Sequence, residues 1–276
     1  MSEHSPQEVN IEMGDDISRT LYNASKLTHA NRPGLLVEFH ESFSGLRAIP
    51  ASMLKDPENM YMNLGFDGVG TKVEVSERLN DHSVVAHDLF AMVCDDAVVR
   101  GAEPVAIGSI LDVKQLNDDY ETRRSISQLA QGYISAAEAA GVVVVNGEVA
   151  ELGSRINGYP GTLNYNWGAA ILWFAHKQRL LTGLEMQAGD SLVGFAEHGF
   201  RSNGITDVRN AMEENYGKKT WHNVVIPSLG ELSLGLQVQK PSTIYSKVRT
   251  ELTGGYDIEK EPKAKITGVA HITGGG

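Results

Sequence analysis

The chain has 276 residues, 41% of them hydrophobic, with 24 basic against 35 acidic residues and a net charge of -11. That is enough apolar material for one large core or two moderate ones, and the acidic balance excludes a sequence-independent grip on nucleic acid or on an anionic membrane, so a polyanionic ligand has to be held by local groups and metal ions. The lone cysteine, Cys94, excludes an intramolecular disulfide framework and a cysteine-rich zinc site, as expected of a reducing compartment with cytoplasm as the default; no apolar run approaches the ~20 residues of a membrane span, and the acidic opening carries no signal pattern.

Residues 1–14 are polar and are expected to form a flexible tail. Apolar spacing predicts a short amphipathic helix over 17–29, closed by Asn31, Arg32 and Pro33. Met60, Met62, Leu64 and Phe66 alternate with Tyr61, Asn63, Gly65 and Asp67, which is the period of a strand and puts Asp67 near its end. Gly68 and Gly70 then loosen the backbone, and 71–75 is expected to resume a β alternation. Leu89, Met92, Val93 and Ala97 predict a helix over 82–99 stopped by Gly101, followed by a strand over 105–113. Ile126, Leu129, Ala130, Tyr133, Ile134 and Ala137 mark a helix over 125–140 that Gly141 ends. A doubly buried strand over 142–145 follows, with Asn146, Gly147 and Glu148 at its end, then a strand over 167–175 and a turn at 187–190 leading to 192–195. The expected class is α/β of the two-layer α+β kind, with one domain over 15–186 and a second over 187–276.

Several groups carry chemistry. In GFDGVGTK, from Gly65 to Lys72, a carboxylate, free backbone amides, a hydroxyl and an ammonium stand together, which suits phosphate and metal; a glycine-rich hairpin with a surface lysine is the bland alternative. It is not a Walker A loop, because it lacks that order and a helix is not expected after it. At 100° per residue Asp88 and Asp95 share a helix face, while Asp96 joins the apolar stripe and there needs a partner or a metal; a solvated face explains the first two as well as magnesium does. Glu148 suits a nucleotide contact or a cap. Ser202 or Asn203 is expected to cap a helix starting at Ile205, with Arg201 beside an anion-binding N-terminus. Cys94 is expected to pack rather than react.

The order of these motifs is more specific than any one of them. GFDGVGTKVEV, HDLFAMVCDDAVVRGAEPVA, NGEVAEL, GFRSNGITDVR and AHITGGG resemble, in sequence and spacing, the aminoimidazole ribonucleotide synthetase (phosphoribosylformylglycinamidine cyclo-ligase) family over roughly 11–276. The resemblance implies an ATP-dependent cyclo-ligase of purine biosynthesis that takes formylglycinamidine ribonucleotide, uses magnesium, and pairs as a homodimer through its N-terminal domain. It implies Asp67 and Asp96 as metal carboxylates, with Asp67 and Lys72 catalytic. Gly68, Gly70, Thr71, Lys72, Asp88, Asp95 and Glu148 would lie around the nucleotide, and Arg201, Ser202, Asn203, Gly204, Gly274 and Gly275 on the substrate side. Four positions depart from the family: Phe66, Asn146, Val149 and Arg201 stand where it usually has Thr, Gly, Thr and His. Its glycine-rich N-terminal loop is reduced to 39–46, and it continues beyond the triple glycine. A non-catalytic nucleotide-binding relative is therefore the alternative, as is another ATP-dependent member of the superfamily.

Overall fold

The computed structural model describes residues 11–39 and 47–272. Helix α1, Ile11–Thr28, starts inside the stretch expected to be a tail, because Met13 and Ile17 are both buried in the main core. A two-residue ribbon, β1 (Val37–Glu38) with β2 (Arg47–Ala48), flanks the residues that lie outside the description, among them most of the 39–46 loop. The central sheet is built from β3 (Met60–Gly68), β4 (Glu103–Val113), β5 (Val143–Glu151) and β6 (Tyr165–His176) in the order β3-β6-β4-β5. Only β4 and β5 run parallel, joined by the crossover helix α4, Tyr120–Ala140. α4 begins five residues ahead of the expected 125, since Asp119 accepts the Thr122 amide at 2.7 Å and caps it.

Alternation decides which side of the sheet is covered. Ile107 and Leu111 of β4, with Tyr165, Trp167, Ala169 and Ile171 of β6, point into one core with α1, α4 and α3 (Val85–Val98). On the opposite face, Val105, Ala106, Val143 and Phe174 are covered by Leu35 and neighbouring loops. The remainder of that face stays open: Met62, Leu64, Phe66 and Ile110 are exposed, Phe66 by 75%. Asn146, Gly147 and Glu148 do not end the strand as expected. β5 runs on through them because Gly147 and Glu148 pair with Ser109 and Ile110 of β4.

The stretch 71–75 is not β. After Gly68 pairs with Gly168 and Val69 donates to the Trp167 carbonyl, the chain has no further partner on β6. It turns through one 3-10 turn into helix α2, Val73–Leu79. Burial outweighs β propensity here: Val73 joins the main core, and Val75 packs into a second small core with Ile205, Trp221, Leu234 and Val238. That second core gathers α2, α5 (Ile205–Tyr216) and α6 (Leu234–Gln239), while α7 (Ser246–Thr253) packs on α3.

The acidic residues of α3 fall opposite to expectation. Every residue of α3 except His87 and Asp96 is buried, so Asp88 and Asp95 are inside and Asp96 is out. The apolar stripe misplaced them because α3 is covered on two sides, by the sheet and α4 on one and by α7 with the preceding segment on the other. Cys94 is fully buried, as a packing residue would be.

Two stability measurements follow from this packing. Leu129, with 0% exposure in the main core, should cost about 2–5 kcal/mol on Leu129→Ala; a urea midpoint unchanged from wild type would contradict the burial described. Glu77 of α2 is buried and accepts the Tyr159 amide at 2.7 Å, and burial pushes its carboxyl up to about 7 from 4.5. Between those values the folded chain holds a proton that the unfolded chain has released, so this group's stabilisation is full below 4.5 and is lost as pH rises to about 7. Wild type should therefore lose stability relative to Glu77→Gln across that window, on the order of 3 kcal/mol in unfolding free energy; a difference that does not change with pH would contradict it.

Candidate active site

The 67–72 loop leaves the end of β3 with Asp67 partly buried and its carboxylate accepting the Gly68 amide at 2.7 Å. Gly70 has φ +64° with nothing near its missing Cβ, so only the backbone turn calls for glycine there. Burial lifts the Asp67 carboxyl above its usual range; the Gly68 amide opposes this, the charge of Asp96 adds to the rise and His271 counters it. Asp67, Asp96 and His271 are thus electrostatic neighbours, and His271 Nδ1 lies 3.0 Å from Asp96 Oδ1. His271 Nε2 is buried without a hydrogen-bond partner. Asp96, expected on a buried stripe, is instead an exposed residue whose partner is His271.

The loop meets the turn before α5. Thr71 Oγ1 is 2.9 Å from Thr206 Oγ1, and Lys72 Nζ donates to the Phe200 carbonyl at 2.6 Å. Neither Ser202 nor Asn203 caps α5: the N-cap is Gly204 at φ +79°, and no side chain bonds there. The chain has to pass through the left-handed region to enter the helix, which glycine does at no steric cost. The Ser202 carbonyl takes the Ile205 amide, and the Ser202 hydroxyl is left buried without a partner. Asn203 and Gly204 are exposed.

Four expected ligand-facing residues are instead turned inward. Lys72, with a side chain 1% exposed, pairs with Asp88 at 2.7 Å, and Ser242 donates to the same Asp88 oxygen from its amide and hydroxyl. Arg201 pairs with Asp95 at 3.0 Å and with Glu197 at 3.0 Å, and Tyr245 donates its amide to Asp95. Asp88 and Asp95 are therefore both occupied with cations of this chain. Arg201 is committed to carboxylates, not left beside a helix N-terminus for an anion. The signal for this was present in the i, i+7 spacing of the two aspartates, which puts them on one helix face; their partners, more than 100 residues away or in another motif, carried none.

Glu148 sits apart, exposed on β5 and across the sheet from the loop in one register row, Gly68–Gly168–Ile110–Glu148. Three strand spacings separate the ends of that row, about 14 Å. Beside Glu148 an open cavity of about 110 Å³ lies between α1 and the sheet, lined by Tyr22, Arg47, Ser109, Asn146 and Trp167 among others. Gly274 and Gly275 lie outside the described residues.

Magnesium takes oxygen ligands, commonly one or two carboxylates completed by phosphate and water. Among the described residues no cluster of three or more acidic, histidine or cysteine side chains makes a metal cage. Asp67 and Asp96, each feeling the other's charge, are the two carboxylates that could take part in such a site, and none of the described helices is long and apolar enough to cross a membrane.

Comparison with known proteins agrees with this architecture. Residues 50–170 match the family described as AIR synthase related protein, N-terminal domain. The phosphoribosylformylglycinamidine cyclo-ligase of Thermococcus kodakarensis is 31% identical over 265 residues, covering 94% of this chain and 68% of the relative. That of Acetivibrio thermocellus is 30% identical over 276 residues, covering 100% and 73%. That of Pyrococcus horikoshii is 31% identical over 232 residues, covering 82% of this chain, which spans only 60% of that relative's length. A thiamine-monophosphate kinase from Stenotrophomonas maltophilia shares the fold at a TM-score of 0.54 and 13% identity, over 85% of this chain and 64% of that one. By the identity and coverage of these relatives, on a fold and motif order of the same kind, the chain belongs to the phosphoribosylformylglycinamidine cyclo-ligase family.

Proposed function

We propose that the chain is an ATP-dependent cyclo-ligase acting on formylglycinamidine ribonucleotide, with the nucleotide phosphates and magnesium at the 67–72 loop. The observation that carries this is the meeting of two motifs far apart in sequence: the carboxylates Asp67 and Asp96 beside the loop, and the turn into α5 docked on it through Thr71 and Thr206. Asp67 and Asp96 would hold the metal, which neutralises phosphate charge when bound. The exposed backbone at Gly70 with the Thr71 hydroxyl would face the phosphates. Ser202, Asn203 and Gly204, at the positive end of the twelve-residue helix α5, would hold the substrate's own phosphate.

The chemistry asked of this arrangement is limited. A formyl oxygen is a poor leaving group; transfer of the γ-phosphoryl to it forms a phosphate ester of the imidic oxygen and releases ADP. The amidine nitrogen then attacks the same carbon, the C–O bond breaks, phosphate leaves with the electron pair, and loss of a proton closes the aromatic ring. The protein's part is to hold both substrates in line and to exclude water from the activated oxygen. Glu148, about 14 Å away along the sheet row, would contact the far end of an extended nucleotide.

Two copies would pair through the open sheet face. Met62, Leu64 and Phe66 point out side by side from the edge strand β3, with Ile110 two strands away on the same face. Such a flat apolar face suits an isologous contact with itself.

ADP release should require both ATP and formylglycinamidine ribonucleotide, and Asp67→Asn or Asp96→Asn should lower it by about 100-fold or more. ATP binding without substrate-dependent ADP would favour the non-catalytic relative. In sedimentation velocity wild type should run as a dimer that Phe66→Glu converts to monomer; a wild type that is already monomeric at tens of micromolar, roughly the range of a weak association, would remove the paired-sheet proposal.

A further inference from the structure

An ammonium has three N–H donors and no acceptor. All three of Lys72 are spent inside the protein: on Asp88 Oδ1 at 2.7 Å, on the Phe200 carbonyl at 2.6 Å and on the Lys240 carbonyl at 2.8 Å. A phosphate reaching Nζ would have to displace one of these, leaving either the buried Asp88 carboxylate or a half-buried carbonyl without its cation, which is costliest for the carboxylate. The two carbonyls are not arbitrary. Phe200 directly precedes the 201–204 turn, and Lys240 precedes the Pro241–Ser242 step, whose Ser242 closes on the same Asp88 oxygen from its amide and hydroxyl at 3.0 and 2.6 Å.

We infer that Lys72 is a positioning residue: through Asp88 and the carbonyls of Phe200 and Lys240 it clamps the 200–206 turn and the 240–243 segment against the 67–72 loop, and it does not contact phosphate. Its neighbour Thr71 faces the other way, exposed and against Thr206. One residue of the loop thus serves the ligand side and the next serves the clamp. Two turns further along α3, roughly 10 Å away, Asp95 repeats the arrangement with Arg201, Thr243 and Tyr245. The clamp depends on no assumption about ligands; its consequence for substrate rests on the proposed role of the 201–204 turn.

The test uses the 276-residue chain with Lys72→Met and Asp88→Asn, read by amide hydrogen exchange resolved by segment and by titration with ATP and magnesium. Amides of 200–206 and 240–243 should exchange about tenfold faster or more in both variants, while those of β4 and β6 keep their protection. The ATP dissociation constant should stay within about twofold of wild type in both, and in turnover KM for the ribonucleotide should rise while KM for ATP does not. A general weakening of the fold would instead raise exchange everywhere and leave both KM values alone, which would overturn the proposal. So would an ATP dissociation constant weakened about tenfold or more in Lys72→Met with Asp88→Asn like wild type, the behaviour of a phosphate ligand. Should wild type bind no ATP, the nucleotide assignment fails and the exchange result alone decides the clamp. Should Lys72→Met not fold, Ser242→Ala removes one partner of Asp88 with both charges still paired; local loosening of 240–243 supports the clamp and unchanged exchange there overturns it.

Discussion

Two carboxylates inside the protein organise everything around α3. Burial raises the carboxyls of both Asp88 and Asp95, Asp95 to about 6 even with Arg201 beside it. Left without partners, such groups would be among the costliest in the interior. The chain answers by bringing Lys72 from the loop after β3 and Arg201 from the turn before α5, each to one aspartate of the same helix face. Because both cations also bond backbone carbonyls, neutralising the charges and fixing the loops are one event.

That event sets the ligand side by exclusion. With Asp88 and Asp95 turned toward the second core and α7, the next residue of the helix, Asp96, comes out beside Asp67 and His271. A chain with net charge -11 has no general attraction for a nucleotide. Under the proposed function, affinity for one would have to come from this small group, from free backbone amides of the loop and from a metal held by the two carboxylates.

Much of the architecture was legible because periodicity survives wherever an element has one wet face. The strand over Met60–Gly68 and the helix ending at Gly141 follow the alternation and the 3.6-residue stripe directly. Legibility failed where an element is covered on two sides or lacks a partner. α3 is apolar nearly all round, so its stripe said little about which aspartate faces out. The β-branched residues Val73 and Val75 formed a helix because pairing with β6 stopped at Gly68 and two cores took them. Asp67 and the 201–204 turn were identifiable by motif order, whereas the pairing of His271 with Asp96 spans 175 positions and leaves no local trace. The environment of Lys72 was hidden for a related reason: a lysine beside glycines shows nothing in the sequence of the three internal acceptors that surround its ammonium.

The four charges at 72, 88, 95 and 201 also constrain how this sequence can drift. Losing Lys72, Asp88 or Arg201 strands a buried opposite charge, whereas Arg201 without Asp95 would still have Glu197, so neutral change at the first pair must be concerted. Arg201, where the family usually carries histidine, gives the second pair a particular character. A guanidinium keeps its charge at every physiological pH, whereas an imidazole would tie the contact to a titration near 6.5. In this chain the cationic half of that joint is permanently charged, and acidification can act on it only through its carboxylates, Asp95 and Glu197.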